Sequence, residues 1–210
     1  MNFPDALGAG PLSYVKGMPI GITGTKTLPA ATLTALKGAG VTNAIVLGGP
    51  TVVTPAVVTA LTAGGIVPFV GAGVTDGRIF GRDRAETSTK LADYMITNQG
   101  FSDTAVNVAS GQPTTFGADA LGGGALSGKE IRPTLITGSS PSPGFGLIEF
   151  FTAHSATLAP CPTFRGTAAC PPALAPAVPT PAKPPAANQA ARAAPPPAAA
   201  HSARPAANDT

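Results

Sequence analysis

The sequence predicts an α/β fold in which a parallel sheet is flanked by helices, built from tandem copies of one supersecondary unit. Two observations support this prediction. The twenty residues from Asp5 to Gly24 recur without a gap as Asp119 to Gly138, and eleven of the twenty positions are identical. Around these copies, short apolar runs of strand length alternate with helix-like segments bounded by Gly and Pro.

The first unit begins with a predicted short helix through Leu7 and Leu12. Asp5 precedes it as a helix cap, because a carboxylate can accept hydrogen bonds from the free N–H groups at a helix start. Residues 19–23 form a short β-prone run. Pro29 then suits the first turn of a second helix, since its fixed φ matches that position.

The clearest predicted strand of the first unit is Val41 to Leu47, which Gly48-Gly49 ends sharply. Thr54-Pro55 has the pattern of a helix N-cap followed by the first helical position. The helix continues to Leu61, and Ile66 to Val70 is the next strand. This alternation favours a parallel sheet with helices on its faces.

The second unit is predicted to begin near Gly77. Asp83 and Glu86 have the spacing of a capping box, which opens a helix to about Asn98. The other predicted elements of this unit are strands at Thr104–Ala109 and Thr134–Thr137 and a helix at Gly144–His154.

The repeat pattern weakens after about residue 140. Residues 164–178 align only loosely with residues 47–61, and their prolines would interrupt a strand or helix, as in a degenerate or a frameshifted copy. From Pro171 onward, 11 prolines and 16 alanines among 40 residues predict an extended or disordered tail. At the other end, Met1 lies almost inside a repeat, so we expect the first copy to lack its own beginning.

The charge distribution argues against nucleic acid as a partner. Through Val178 the chain has 10 Lys and Arg against 9 Asp and Glu, so the basic pI of about 9.1 belongs mostly to the tail. Basic residues do not form a dense stripe with interleaved aromatic residues. No apolar run approaches the roughly 18 residues that span a bilayer, so we expect no transmembrane helix.

The catalytic inventory of the sequence is thin. His154 is predicted at a helix end, where an imidazole can bond the terminal carbonyls, and His201 lies in the tail. Cys161 and Cys170 have no metal-ligand spacing, although they could form a disulfide. We therefore expect no metal, no cofactor and no catalytic residue. The glycines after Leu47 and around Gly71 are predicted to make turns, because neither set fits a phosphate-binding fingerprint.

The densest group of charges is Arg78, Arg82, Asp83 and Arg84. One interpretation is a helix N-terminus with solvated charges and a local ion pair of little energetic value. The other is a small site for an anionic group, because arginine can bind phosphate or carboxylate with two parallel hydrogen bonds.

Four motifs in order resemble those of the type 2 cell-wall-binding repeat family of Gram-positive surface proteins. They are Phe3-Pro4-Asp5-Ala6-Leu7-x-x-Gly10-Pro11-Leu12, Leu28-Pro29, Leu47-Gly48-Gly49 and Arg78-Ile79-x-Gly81-x-Asp83-Arg84-x-x-Thr87. The resemblance covers Met1 to about Ser139 and fades by Val178. Asp5 and Asp119 match the acid of the family's Asp-Ala-Leu motif. Asp83-Arg84 matches its Asp-Arg dipeptide, whereas Ala85 stands where the family often has an aromatic residue.

The resemblance implies Rossmann-like or toprim-like repeat units, usually three that pack with pseudo-threefold symmetry. It also implies non-covalent attachment of an exported protein to an anionic cell-wall polymer or peptidoglycan-associated glycan. The expected ligand-binding residues are Arg78, Arg82, Asp83, Arg84, Asp5 and Asp119.

The predicted organisation is a first repeat at 1–76, a second at 77–178 and a tail at 179–210. With fewer than two whole repeats and an unpaired sheet edge, the chain is expected to be marginally stable or oligomeric. We expect an extracellular, wall-associated protein that is not an enzyme. Two alternatives stay open at this point: a surface-layer protein that self-associates, and an enzyme of nucleotide-sugar or phosphate chemistry.

Overall fold

The computed structural model describes residues 4–74, 76–111, 118–138 and 144–158. The chain divides into two compact units, residues 1–176 and 177–210, and every residue described belongs to the first. Three predictions therefore lie outside the described residues. They are the disordered tail, the disulfide between Cys161 and Cys170, and the loose alignment of residues 164–178 with residues 47–61.

The described chain is a mixed α/β fold of helices and short parallel strands, as the sequence predicts. The helices are a 3₁₀ helix at Pro4–Ala9 and α-helices α1 (Gly10–Lys16), α2 (Ala30–Gly38), α3 (Pro55–Ala63), α4 (Arg84–Gln99), α5 (Ala118–Lys129) and α6 (Leu147–Ala153). The strands are β1 (Asn43–Ala44), β2 (Val46–Leu47), β3 (Val67–Pro68), β4 (Arg78–Ile79), β5 (Asn107–Ala109) and β6 (Thr134–Ile136). Among these residues, no helix is long and apolar enough to cross a membrane.

The strands form three parallel pairs. β1 pairs with β3, β2 with β4, and β5 with β6. The single strand predicted at residues 41–47 is thus present as two pieces on either side of Ile45, because each piece bonds to a different neighbour. As predicted, it ends at Gly48, whose φ of 120° is a conformation that favours glycine. Apolar residues of this unit form a separate core around Val57 and Ile66.

The prediction of a strand at residues 19–23 is wrong. The structure assigns no strand there, although the equivalent residues of the second copy form β6. A strand needs a hydrogen-bonded neighbour, and β6 has β5, which lies about ten residues ahead of the repeated segment. Among the described residues, no strand pairs with residues 19–23. Instead, the hydroxyl of Thr32 donates to the carbonyl of Ile22 at 2.9 Å.

The predicted role of Asp5 as a helix cap is also wrong. Asp5 lies inside the first turn of the 3₁₀ helix, and α1 begins only at Gly10, after Ala9 with helical φ and ψ. Its carboxylate lies instead beside the turn after β2, where a Cβ on Gly48 would approach Oδ2 of Asp5 to 3.2 Å. The 3₁₀ helix thus brings an acidic side chain to the carboxyl end of a strand.

Helix α4 is buried on two sides. Ala85 and Ala92 pack with β5, β6 and α6 in one apolar cluster. Leu91 and Met95 pack with α1 and β4 in a second cluster. Ser88 fixes the helix to the sheet, because its hydroxyl accepts a hydrogen bond from the backbone N–H of Ile136 at 2.8 Å.

The two copies of the repeated segment pack directly against each other through α1 and α5. A Cβ on Gly10 would lie 3.0 Å from the Cα of Gly124, and a Cβ on Gly128 would meet the side chain of Tyr14 at 2.7 Å. Both pairs are equivalent positions of the repeat, 114 residues apart. The two helices therefore run side by side in register, and glycine is what permits their close approach.

This packing leaves equivalent leucines in opposite environments. Leu7 and Leu12 of the first copy are each only 6% exposed. Their counterparts in the second copy, Leu121 and Leu126, are 63% and 47% exposed. The first copy buries its leucines against the second, and among the described residues nothing covers those of the second copy.

We predict that Gly124→Val lowers the free energy of unfolding by about 1–3 kcal/mol, because the added side chain would enter the contact with Gly10. Gly122→Val, in the same helix, is the control, since a Cβ there has no neighbour within 4 Å. Urea unfolding of both variants measures the difference. Equal stability of the two variants would contradict the close α1–α5 contact.

Candidate functional site

The predicted charged site surrounds the N-terminus of α4, but its members have different tasks. Arg78 of β4 is buried, and its Nη1 donates to the carbonyl of Gly48 at 3.0 Å. Burial lowers the pKa of this guanidinium, while nearby Asp76 raises it. Arg78 therefore joins the ends of β2 and β4, with further N–H donors on the same guanidinium.

Arg84 joins α4 to the end of β5. Its Nη1 donates to the carbonyl of Gly111 at 2.6 Å. A side chain on Gly111 would collide with the carbonyl of Thr137, so glycine is required for this close approach. Arg84 also lies near enough to Asp5 to stabilise its carboxylate electrostatically. These contacts make Arg84 and Asp5 parts of the junction between the two copies.

The carboxyl of Asp5 is unusual for a partly buried group beside an arginine. Burial raises its pKa, and this effect exceeds the lowering caused by Arg84, while the charge of Asp83 raises the pKa further. The carboxylate form is thus destabilised in the folded protein.

Asp83 is the N-cap of α4, as the sequence predicts. Its Oδ1 accepts from the backbone N–H of Glu86 at 2.9 Å, and its Oδ2 accepts from the backbone N–H of Phe145 at 3.1 Å. Glu86 completes a modified capping box, because its Oε2 accepts from the N–H of Arg82 at 2.7 Å and not from that of Asp83. Both oxygens of Asp83 are therefore occupied by the fold.

Arg82 is the exposed cation of this group, with 57% of its side chain accessible. Its Nε donates to Oε2 of Glu86 at 2.8 Å, and its guanidinium lies 4.1 Å from the centre of the Phe145 ring. The hydrogen bonds from the backbone and side chain of Arg82 lower the pKa of Glu86. Arg82 is thus held in one place by a carboxylate and an aromatic ring while its Nη groups reach solvent.

Asp119, the repeat equivalent of Asp5, lies in the first turn of α5 and is half-buried. Within the residues that the structure describes, no contact joins Asp119 to Arg82 or Arg84. The structure thus brings Asp5, Arg78, Arg82, Asp83 and Arg84 to the strand ends and leaves Asp119 apart. Asp5 interacts electrostatically with Arg84, which α4 of the second unit supplies.

A groove that sequence reasoning missed lies between α3, α4 and the segment before β4. Its cavity volume is about 950 Å³. Its lining residues include Pro55, Thr59, Ala72, Asp76, Arg78, Phe80, Lys90, Asp93, Tyr94, Thr97 and Asn98. These residues come from both predicted repeats and form no motif along the chain. Phe80 is the lining residue that stands out in the sequence, because it is a large apolar residue among charged neighbours.

Lys90 stands at one end of the groove. Its Nζ donates to the carbonyl of Phe80 at 3.0 Å and lies 3.5 Å from Oε1 of Glu86. Deeper in the groove, burial raises the pKa of Tyr94, whose hydroxyl accepts a hydrogen bond from Nε2 of Gln99 at 2.9 Å.

In the described part of the chain, no group of three or more His, Cys, Asp or Glu side chains could hold a metal ion. His154 is at the end of α6, as predicted. Its imidazole does not bond the helix carbonyls, however. Its Nε2 lies 2.9 Å from Oδ1 of Asp93 on α4, and its ring packs on Phe150. His154 therefore connects two helices.

Comparison with known proteins identifies the family. The family model for cell wall binding domain 2 (CWB2) matches residues 1–58 and 78–157. Among solved structures, the chain is similar to Cwp6 from Clostridium difficile, with a TM-score of 0.59 and 20% identity. That match covers 76% of this chain and 23% of Cwp6, so the chain spans less than a quarter of that protein. No curated protein sequence gives a significant match. The chain belongs to the cell wall binding domain 2 family.

We predict opposite pH responses from two acidic residues at this site. The pKa of Asp5 is raised in the folded state, so its contribution to stability increases as pH falls through that raised pKa toward the ordinary value of 3.8. Asp5→Asn should therefore stabilise the protein at pH 7 and lose this advantage below the ordinary pKa.

Glu86→Gln is the matched comparison, because the pKa of Glu86 is lowered in the folded state. Its contribution is present above the ordinary value of 4.5 and is lost as pH falls through the lowered pKa. This variant should be destabilised at pH 7. Urea unfolding from pH 3 to pH 7 measures both effects, and the same sign for both variants would refute the assignment.

Proposed function

We propose that this member of the cell wall binding domain 2 family is a non-catalytic module that attaches an exported protein to an anionic cell-wall polymer. The observation that carries the proposal is the Arg82 guanidinium, which is exposed and fixed over Phe145 by Glu86. It lies within the part of the chain that matches the family model.

The geometry favours Arg82 over the other predicted ligand residues. Arg78 and Arg84 donate to backbone carbonyls, and Asp83 caps α4. Arg82 keeps both Nη groups for a ligand, which suits a phosphate or carboxylate that accepts two parallel hydrogen bonds. Because the side chain is already held in place, binding costs less conformational entropy than it would for a free surface arginine.

Arg82 is surrounded by charges of both signs. Glu86 is paired with both Arg82 and Lys90, so one carboxylate is shared by two cations. Asp83 and Glu149 also act electrostatically on Arg82. The support for an anionic ligand is therefore the exposed Arg82 guanidinium and not a net positive surface, and a charge-assisted contact of this kind is weakened by salt.

The family assignment supports a location at the cell surface or cell wall, and we extend the proposal to the organisation of the chain. We propose repeats at 1–76 and 77–178, each of Rossmann-like or toprim-like type, followed by a tail at 179–210. In this proposal the tail is a spacer outside the wall-binding part.

The direct test is co-sedimentation of the full chain with purified Gram-positive cell walls, before and after acid removes their anionic polymers. We expect binding to native walls and loss of binding after stripping. Equal binding to both preparations would reject an anionic polymer and favour a peptidoglycan-associated glycan. Absence of binding to either, from a folded protein, would reject the proposed function.

We predict that Arg82→Gln weakens wall binding about tenfold, since one charge-assisted contact is worth roughly 1.5–3 kcal/mol. Lys37→Gln is the control, because Lys37 is an exposed lysine at the end of α2 and its loss changes the net charge equally. Binding isotherms at low and high salt give the affinities. Equal losses for the two variants would indicate a net-charge effect without an arginine site.

A second candidate function, self-association, is favoured by the exposed leucines of α5. Leu121 and Leu126 occupy the repeat positions at which Leu7 and Leu12 are buried. Leu12 is buried against α4, but in a second copy of the chain this face of α4 is already covered by that copy's own α1. The exposed leucines of α5 therefore cannot be buried against α4 of a second copy. We propose that two chains meet through their α5 helices, each shielding the leucines of the other.

We predict that the chain forms a dimer whose dissociation constant rises at least tenfold in the variant Leu121→Gln with Leu126→Gln. The reason is that both exposed apolar side chains would lose their burial in the dimer. Ile148→Gln is the control, since Ile148 is a similarly exposed apolar residue on α6. Sedimentation equilibrium measures the association, and a wild-type monomer at high concentration would contradict the proposal.

A further inference from the structure

The groove between α3 and α4 has the size and composition of a ligand site. Small-molecule sites typically occupy roughly 300–1,000 Å³, and this cavity of about 950 Å³ is at the upper end of that range. It is lined by apolar groups such as Pro55 and Ile79 together with polar side chains from α4. It also opens to solvent, because Thr59, Phe80 and Lys90 are exposed.

The charges that line the groove balance. The acidic lining residues are Asp76 and Asp93, and the basic ones are Arg78 and Lys90. Each of them also has a partner within the protein: the charge of Asp76 acts on Arg78, Asp93 meets His154, and Lys90 meets Glu86. A groove with no net charge gives a polyanion little advantage, so its preferred occupant is a neutral molecule with hydroxyl groups.

Phe80 gives the groove a fixed aromatic face. Its side chain is 39% exposed, and a Cβ on Gly49 would approach its ring to 3.0 Å, so the ring lies directly on the backbone of that glycine. Nζ of Lys90 donates to the carbonyl of Phe80 and lies 6.0 Å from the centre of its ring, which further restricts the residue. A ring that is already immobilised can stack on the apolar face of a sugar without a further loss of side-chain freedom.

Polar groups for sugar hydroxyls lie on the α4 side of the groove. Asn98 donates from Nδ2 to the carbonyl of Tyr94 at 3.3 Å, which leaves its amide oxygen as an acceptor. Thr97 is exposed beside it, and Arg78 retains donors beyond its bond to Gly48. The groove lining therefore combines hydrogen-bond donors and acceptors with an aromatic ring and apolar groups.

Two ion pairs connect the groove with the exposed arginine. Glu86 pairs with Arg82 through Oε2 and with Lys90 through Oε1, and Lys90 lines the groove. We propose that the groove binds a neutral sugar ring of the wall polymer, while Arg82 contacts an anionic group of the same chain. This inference deepens the proposed function and rests on it for the identity of the polymer.

The test uses the full chain and a neutral probe. Wall polysaccharide is freed of phosphate with hydrofluoric acid, cut to oligosaccharides by partial hydrolysis, and depleted of charged material by anion exchange. Binding is measured by calorimetry and by saturation-transfer NMR. We expect binding whose affinity does not change between 50 mM and 500 mM salt, because screening acts on charges and not on stacking.

Two pairs of variants locate the site. Phe80→Ala should weaken oligosaccharide binding about tenfold, while Ile148→Ala, which shortens an exposed apolar side chain outside the groove, should leave it unchanged. Thr59→Trp should block the groove, whereas Thr62→Trp should not. Both threonines are exposed on α3 and bond the carbonyl four residues earlier, but only Thr59 lines the groove. The second pair retains the test if Phe80→Ala fails to fold.

The outcomes separate this inference from the proposed function. Saccharide binding that is weakened by Phe80→Ala and blocked by Thr59→Trp supports the groove as the sugar site. This holds even if the protein binds native walls and walls stripped of anionic polymers equally well. Wall binding that is lost in Arg82→Gln, together with no saccharide binding by the wild type, overturns the groove and keeps the ionic anchor. Saccharide binding that is unaffected by Phe80→Ala and Thr59→Trp also overturns it, since the sugar would then bind elsewhere.

Discussion

Burial of helix α4 on two sides is the constraint on which the rest of the structure depends. One side of the helix completes the core with β5, β6 and α6, and the other side receives the 3₁₀ helix and α1 from the first copy. The hydrogen bond between Ser88 and Ile136 fixes α4 along the sheet. With the helix position set, its N-terminus must lie where the strands end, and this brings the charged residues together.

The charged residues around the N-terminus of α4 resemble a binding site in the sequence. In the structure, most of them hold the fold together and one is exposed to solvent. Near the cap of α4, the side chains of Arg84 and Asp83 satisfy backbone groups that would otherwise be unpaired. Burial raises the pKa of Asp5 more than the charge of Arg84 lowers it, so the carboxylate form of Asp5 does not stabilise the fold. Arg82 alone points outward, because Glu86 and Phe145 hold it from the protein side.

Elements with their own local signals were predictable, and those that depend on distant partners were not. The capping box at Asp83, the proline-started helix α3 and the strand end at Gly48 all follow from short-range chemistry. Residues 19–23 and the strand at 134–136 belong to equivalent segments of the repeat with similar sequences. Only the second of these segments has a neighbouring strand. The groove escaped prediction for the same reason, because two repeats supply its walls.

The internal repeat supplies a comparison that a single unit could not. Leu12 and Leu126 occupy equivalent positions, so their different burial reflects the surroundings and not the local sequence. The same reasoning applies to Asp5 and Asp119, since Asp5 lies near the charge of Arg84 on α4 and Asp119 lies in the first turn of α5. An interface built between successive copies uses one surface of each unit and leaves the matching surface of the last described copy uncovered. The chain therefore presents an exposed arginine at the N-terminus of α4 and, on α5, a separate exposed apolar surface.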